Sequence, residues 1–251
     1  PERLQAAAPN FVRQATQSAS QGDTQQAEQQ LAIALSWNPK IDLAPDTPET
    51  EQNAAQTALK FTALYHRRIG QELAEELKID EAIQEFEKAI DLDSAIDLNP
   101  DTKTIEQDTR AIAQQLSAPG KIIEGRRQVI AGQIQQAIQT YKDAQALNPS
   151  FEVKAFDWDF LCRESSLRGG AQQVLDACEK AVSLSPKDES FIDSRGLARA
   201  LAGNIEGAIA DFQYFIEWTT DEEARSQRQE WIDALEAGEN PFTPEVLESL
   251  Q

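Results

Sequence analysis

Apolar residues recur at i, i+4 and i+7 in five stretches of this chain, a spacing that places them on one face of a helix. The stretches are GDTQQAEQQLAIALSWNP from Gly22, LKIDEAIQEFEKAIDLD from Leu77, GQIQQAIQTYKDAQALNP from Gly132, GAQQVLDACEKAVSLSP from Gly170 and GNIEGAIADFQYFIEW from Gly203. Aligned, they bring Ala27, Ala82, Ala137, Val174 and Ala208 to one position. Four residues on stand Leu31, Phe86, Tyr141, Cys178 and Phe212, and three further on Ala34, Ala89, Ala144, Ala181 and Phe215. Small–large–small on one face lets a neighbouring helix approach closely while the larger side chain fills the space beside it. Pro39, Pro149 and Pro186 then stop the helix. The preceding segments carry the matching half of the pattern. Trp158, Leu161 and Cys162 run large–large–small before the fourth stretch, and Gly70, Gly125 and Gly196 repeat the small position before the second, third and fifth. Each stretch is therefore predicted to be the second helix of a hairpin.

The intervals between copies are uneven. Ala27 to Ala82 and Ala82 to Ala137 are each 55 residues, followed by 37 to Val174 and 34 to Ala208. The extra length of the first two intervals is itself repeated, since IDLAPDTPETEQ from Ile41 matches IDLNPDTKTIEQ from Ile96. The front half thus reads as a super-repeat with an extra or lengthened helix in each copy. Thr47-Pro48-Glu49 and Asn99-Pro100-Asp101 are the expected helix starts, each combining a cap, a first-turn proline and an acid near the positive end of the helix. At the other end, Thr220 to Glu223 reads as a capping box opening a helix with Ala224, Trp231, Ile232 and Leu235 on one side. Asn240-Pro241 breaks it and Thr243-Pro244-Glu245 opens a last short helix. This organisation divides the chain at 1–154, 155–219 and 220–251: long super-repeats, two standard hairpins and a capping helix pair.

The succession Trp, Leu, small residue, then Ala, aromatic and Pro resembles the tetratricopeptide repeat, whose period is roughly 34 residues. That resemblance implies an all-α, right-handed α-solenoid of about five helical hairpins, with extra helices in the first half and a C-terminal capping pair. The segment from Asp193 to Leu250, DSRGLARALAGNIEGAIADFQYFIEWTTDEEARSQRQEWIDALEAGENPFTPEVLESL, is similar to the C-terminal repeat block of large cyanobacterial multidomain proteins. In those proteins such blocks follow caspase-like peptidase, signalling-NTPase or β-propeller regions. The implied role is a protein-interaction scaffold or adaptor within a larger signalling protein. The alternative is a ligand-gated domain regulating an attached effector. A chain that opens on Pro1 and contains no methionine agrees with a piece of a longer or processed protein.

Charge and chemistry narrow the functional classes. With 43 acidic against 23 basic residues the net charge is −20, which repels phosphate backbones and anionic membrane surfaces, so neither nucleic acid nor membrane is expected as a partner. Cys162 and Cys178 give no disulfide framework and no metal-ligand spacing, and both fall on packing positions. They read as core thiols in a reducing, cytoplasmic setting. His66, the only histidine, lies in a different repeat from either cysteine, so no nucleophile–base pair forms. No catalytic machinery, metal site or cofactor is expected.

The resemblance also implies that the first helix of each hairpin lines a concave groove. Arg67, Gln71, Ile122, Arg126, Asp159, Arg163 and Asp193 would project from those helices, with Arg199 near the edge. The planar fork of arginine suits carboxylates, so a protein or peptide with an acidic or C-terminal segment is the expected partner. The competing account is that these arginines pair with acids inside the repeats. Val12 and Thr16 occupy the inner positions of the first unit, where chaperone-binding relatives carry an Asn/Lys clamp, and chaperone tails are therefore not expected.

Overall fold

The computed structural model describes residues 2–102 and 104–251, and every regular element among them is helical. Two compact units divide at Ser117 and Ala118. The first contains α1 (Glu2–Ala19), α2 (Thr24–Trp37), α3 (Ala54–Glu75), α4 (Ile79–Leu92) and α5 (Thr109–Leu116). The second contains α6 (Ala118–Ile130), α7 (Ile134–Leu147), α8 (Ala155–Ser165), α9 (Ala171–Leu184), α10 (Glu189–Leu201), α11 (Ile205–Trp218), α12 (Glu222–Glu236) and α13 (Pro244–Ser249). The hairpins α1/α2 and α3/α4 stack in the first unit, and α6/α7, α8/α9 and α10/α11 in the second. Each unit is a tetratricopeptide-like α-solenoid.

The hairpin turns need a left-handed residue, and Gly22, Gly132 and Gly203 supply it with φ of 83°, 75° and 87°. Leu77 holds the same place in α3/α4 with φ of 65°, where a side chain costs about 1–2 kcal/mol.

The super-repeat differs in detail from the sequence expectation. Thr47 and Asn99 do not open helices; α3 and α5 begin later, capped by Asn53 and Asp108, which accept from the backbone N–H of Gln56 and Ala111. The intervening described residues form two matching loops, 38–53 and a second made of 93–102 and 104–108. In the first, one carboxylate oxygen of Asp42 accepts from the N–H of Ala44 and of Glu51, each at 3.0 Å. In the second, Asp97 accepts from Asn99 and Glu106, each at 3.1 Å. Leu43 donates to the Glu51 carbonyl and Leu98 to that of Glu106, pinning each loop base, and both leucines are fully buried. Thr47 and Thr102 turn their hydroxyls back onto the carbonyls of Ala44 and Asn99, a local bond that competes with helix formation. Part of the added length goes instead into α3, which runs 22 residues. At the far end, Asp221 rather than Thr220 caps α12, accepting from Glu223 and Ala224. The capping pair buries Trp231, Ile232, Leu235 and Phe242 against Phe212.

One crossing recurs in every hairpin, between residues 16 positions apart. A Cβ on Gly70 would lie 2.5 Å from the Phe86 ring, one on Gly125 2.6 Å from Tyr141, and one on Gly196 2.9 Å from Phe212. In α1/α2 the same places hold Ala15 and Leu31, both fully buried in one cluster. In α8/α9 they hold Cys162 and Cys178, which are joined in a disulfide. The expectation of two unlinked core thiols is corrected here. The repeat pattern had placed both cysteines in the core, where they are fully buried, but not that their positions face each other across the hairpin. With the thiols bonded, unpaired cysteines no longer give a reason for a reducing compartment.

Two outcomes follow from these crossings. Gly125→Ala gains about 1 kcal/mol of helix propensity but forces Cβ into the Tyr141 ring, an overpacking that costs about 1–3 kcal/mol. Urea denaturation should therefore find it no more stable than the parent, and most plainly destabilised if Tyr141 has no room to move. Unreduced protein should show no alkylatable thiol by mass spectrometry, and reduction should remove about 3 kcal/mol, the value for a loop of this size.

Candidate functional site

In the second unit, most of the side chains expected to line a groove are engaged within the fold. Ile122 is buried in the core among Val129, Leu161 and Cys162. Arg126 on α6 pairs with Asp157 and lies over the rings of Phe156 and Phe160, at 5.1 and 5.3 Å from their centroids. Tyr141 donates to the Asp157 carbonyl, and burial pushes its hydroxyl above the usual tyrosine pKa. Asp193 on α10 is buried and receives two bonds from the Arg228 guanidinium, at 2.9 and 2.7 Å. That guanidinium is stacked over Phe215 and Trp231, so this ion pair joins the capping helix to the last hairpin. Removing one partner of such a pair costs about 3–5 kcal/mol, because a buried charge is left alone.

Arg199 joins Arg195 in binding both Glu179 and Asp211, with nitrogen–oxygen distances between 2.6 and 2.9 Å. Burial works to raise the Glu179 pKa, but hydrogen bonding and charge from Arg199 and Arg195 outweigh it and lower the net value. Arg163 is different. Its one hydrogen bond is a long one, 3.4 Å, to the carbonyl of Leu250, and no acid pairs with it among the described residues. Asp159, one turn earlier on α8, is buried with one carboxylate oxygen lacking a partner. Burial pushes its pKa up to about 6, only partly opposed by a Ser194 hydrogen bond and the charge of Arg163.

In the first unit, Arg67 and Gln71 are held by the second loop. Arg67 donates to the carbonyl of Asp97 at 3.3 Å, and Gln71 donates to that of Leu98 at 3.2 Å. The loop lies over this helix face, a contact between segments about 30 residues apart that no local pattern signals. The corresponding face of α1 is open. Val12 is buried in one cluster with Leu43 of the first loop, Thr16 is exposed, neither side chain donates to that loop, and a cavity of about 1040 Å³ is lined by them with Pro45 and Leu64. His66, set aside as a base, makes a 2.6 Å contact through Nδ1 with Glu85. Among the described residues no group of acids, cysteines and histidine could hold a metal ion, and no helix is long and apolar enough to cross a membrane.

The tetratricopeptide-repeat family model matches residues 68–101, which take in the later part of α3, α4 and the start of the second loop. Among solved structures, the crystal structure of the P58(IPK) TPR domain aligns with 92% of this chain at 15% identity and a TM-score of 0.43. The alignment spans 56% of that chain. No curated protein matches.

The Asp159 environment gives a pH signature. Its folded pKa, about 6, lies above the ordinary 3.8, so between those values the folded protein keeps a proton that the unfolded chain has released. Stability contributed by the protonated carboxyl is complete below the lower value and is lost as pH rises through the upper one. Asp159→Asn should therefore unfold at higher urea than the parent at pH 7, by at most roughly 3 kcal/mol. That advantage should vanish by about pH 3.

Proposed function

We propose that this chain is a protein-interaction module working as a scaffold or adaptor, with its ligand lying along the first helices of the hairpins. The observation that carries this is the tandem stacking of hairpins, with a tetratricopeptide match at residues 68–101. Such a solenoid displays one helix face repeatedly, and a few exposed side chains on that face set the specificity. The module is one part of a larger signalling protein, in keeping with the similarity of its C-terminal segment to the repeat blocks of multidomain proteins.

Within the second unit, an acidic or C-terminal segment would engage Arg163, because Arg126 and Arg199 already satisfy acids of the fold. The regulatory alternative, in which ligand binding controls an attached effector, draws on the same surface and is distinguished by whether ligand changes the effector's activity in the full-length protein.

The test uses a photo-crosslinking residue placed in turn at Thr16 and Phe156, exposed on first helices, and at Glu87, exposed on a second helix. In lysate, the first two positions should give discrete adducts that a folded Arg163→Glu variant weakens at its own unit, while Glu87 gives none. Adducts from Glu87 alone would place the binding surface on the second helices and overturn the proposal.

A further inference from the structure

The two loops of the first unit are copies, yet only one is occupied. Residues 41–53 and 96–108 share the aspartate that closes the loop, the buried leucine, the threonine turn and the helix cap, each with the same hydrogen-bond partners 55 residues apart. In the second copy, the guanidinium of Arg67 lies against the loop and donates to the carbonyl of Asp97, with Gln71 beside it. In the first copy those positions are Val12 and Thr16. Thr16 spends its hydroxyl on the carbonyl of Val12 in its own helix, and no hydrogen bond among the described residues ends on the carbonyl of Asp42, the counterpart of Asp97. The cavity left behind, about 1040 Å³, is at the upper end of the range for ligand sites and far exceeds the volume of two side chains.

The fold therefore displays the filled form of its own site. We propose that the groove between α1 and the first loop receives a segment of a partner protein that carries an arginine, seated as Arg67 is seated in the second copy. Its guanidinium donates to the Asp42 carbonyl and faces the exposed carboxylate of Asp46, while apolar neighbours of the arginine pack on Phe61 and Leu64. Charge favours this occupant. The loop also carries Glu49, beside Glu51 that is paired with Lys60, and the whole chain has a net charge of −20; the one basic side chain lining the groove, Arg13, is turned onto the neutral amide of Asn10. A carboxylate-bearing segment would meet acids and unpaired carbonyl oxygen, both repulsive to it. This site rests on the proposed interaction role and names the chemistry of one partner.

The native chain can be tested against a version whose arginine seat is occupied from within, Val12→Arg/Thr16→Gln, which copies the second repeat. A random peptide library is selected on the native protein and each selected peptide is measured on both forms, with circular dichroism and thermal unfolding confirming that the double variant is folded. The expected result is that peptides weakened about tenfold or more by the double variant are enriched in arginine. Asp46→Lys, at an exposed position, should weaken those same peptides and so serves if the double variant does not fold. Peptides that bind the native and filled forms equally would overturn this site while leaving the interaction role standing. Groove-dependent peptides rich in acids, or lacking arginine enrichment, would overturn the arginine assignment. A library yielding no binder to either form would count against both.

Discussion

The crossing of the two helices in each hairpin is the constraint on which the rest of this protein depends. Helices approach closely only where the summed side-chain volume at the crossing is small, and one large group can be accommodated if its partner has none. Gly70 with Phe86, Gly125 with Tyr141 and Gly196 with Phe212 meet that condition by placing a ring on bare helix backbone. Ala15 with Leu31 divides the volume more evenly. Cys162 with Cys178 fills the same space with two sulfurs and adds a covalent link. Hairpin geometry is thereby kept while the chemistry of the pair changes. Because each hairpin buries its neighbours' faces, an error at one crossing propagates along the stack of its unit.

Electrostatics follows from that packing. An acidic chain with 23 basic residues commits many of them to fixing helices together: Arg228 holds Asp193 across α10 and α12, and Arg195 and Arg199 hold Asp211 and Glu179. These guanidiniums are half-buried or buried and offer little to a ligand. Arg163, which forms no ion pair with an acid among the described residues, and the open loop of the first copy are where the surface retains capacity for binding. The contrast between a filled and an open loop in one unit also shows how a repeat diverges. The scaffold residues Asp42 and Asp97, Leu43 and Leu98, and Thr47 and Thr102 keep their roles, while the helix positions facing them exchange Arg and Gln for Val and Thr.

Much of the fold was legible because its signals are local. Helix-period apolar positions, prolines past helix ends and glycines at hairpin turns act within a few residues, and the hairpins formed where they indicated. The caps at Thr243 and the stops at Pro39, Pro149 and Pro186 belong to the same class. The loops misled for a physical reason. Thr-Pro-Glu and Asn-Pro-Asp are good helix openings, but Asp42 and Asp97 reach nine residues forward to bind backbone N–H groups, and that longer-range bond commits the segment to a loop.

The sequence by itself determined the helical class, the repeat and its 55-residue super-period, and the side chains available at each hairpin crossing, because all of these are set by periodicity and near-neighbour chemistry. Only the tertiary structure decided that the cysteines bond, that Arg67 and Gln71 are hydrogen-bonded to a loop while Val12 and Thr16 are not, and that Arg126 and Arg199 are matched by acids of the fold. Those outcomes turn on which residues distant in the chain face one another, and a one-dimensional pattern holds the candidates for such contacts without choosing among them.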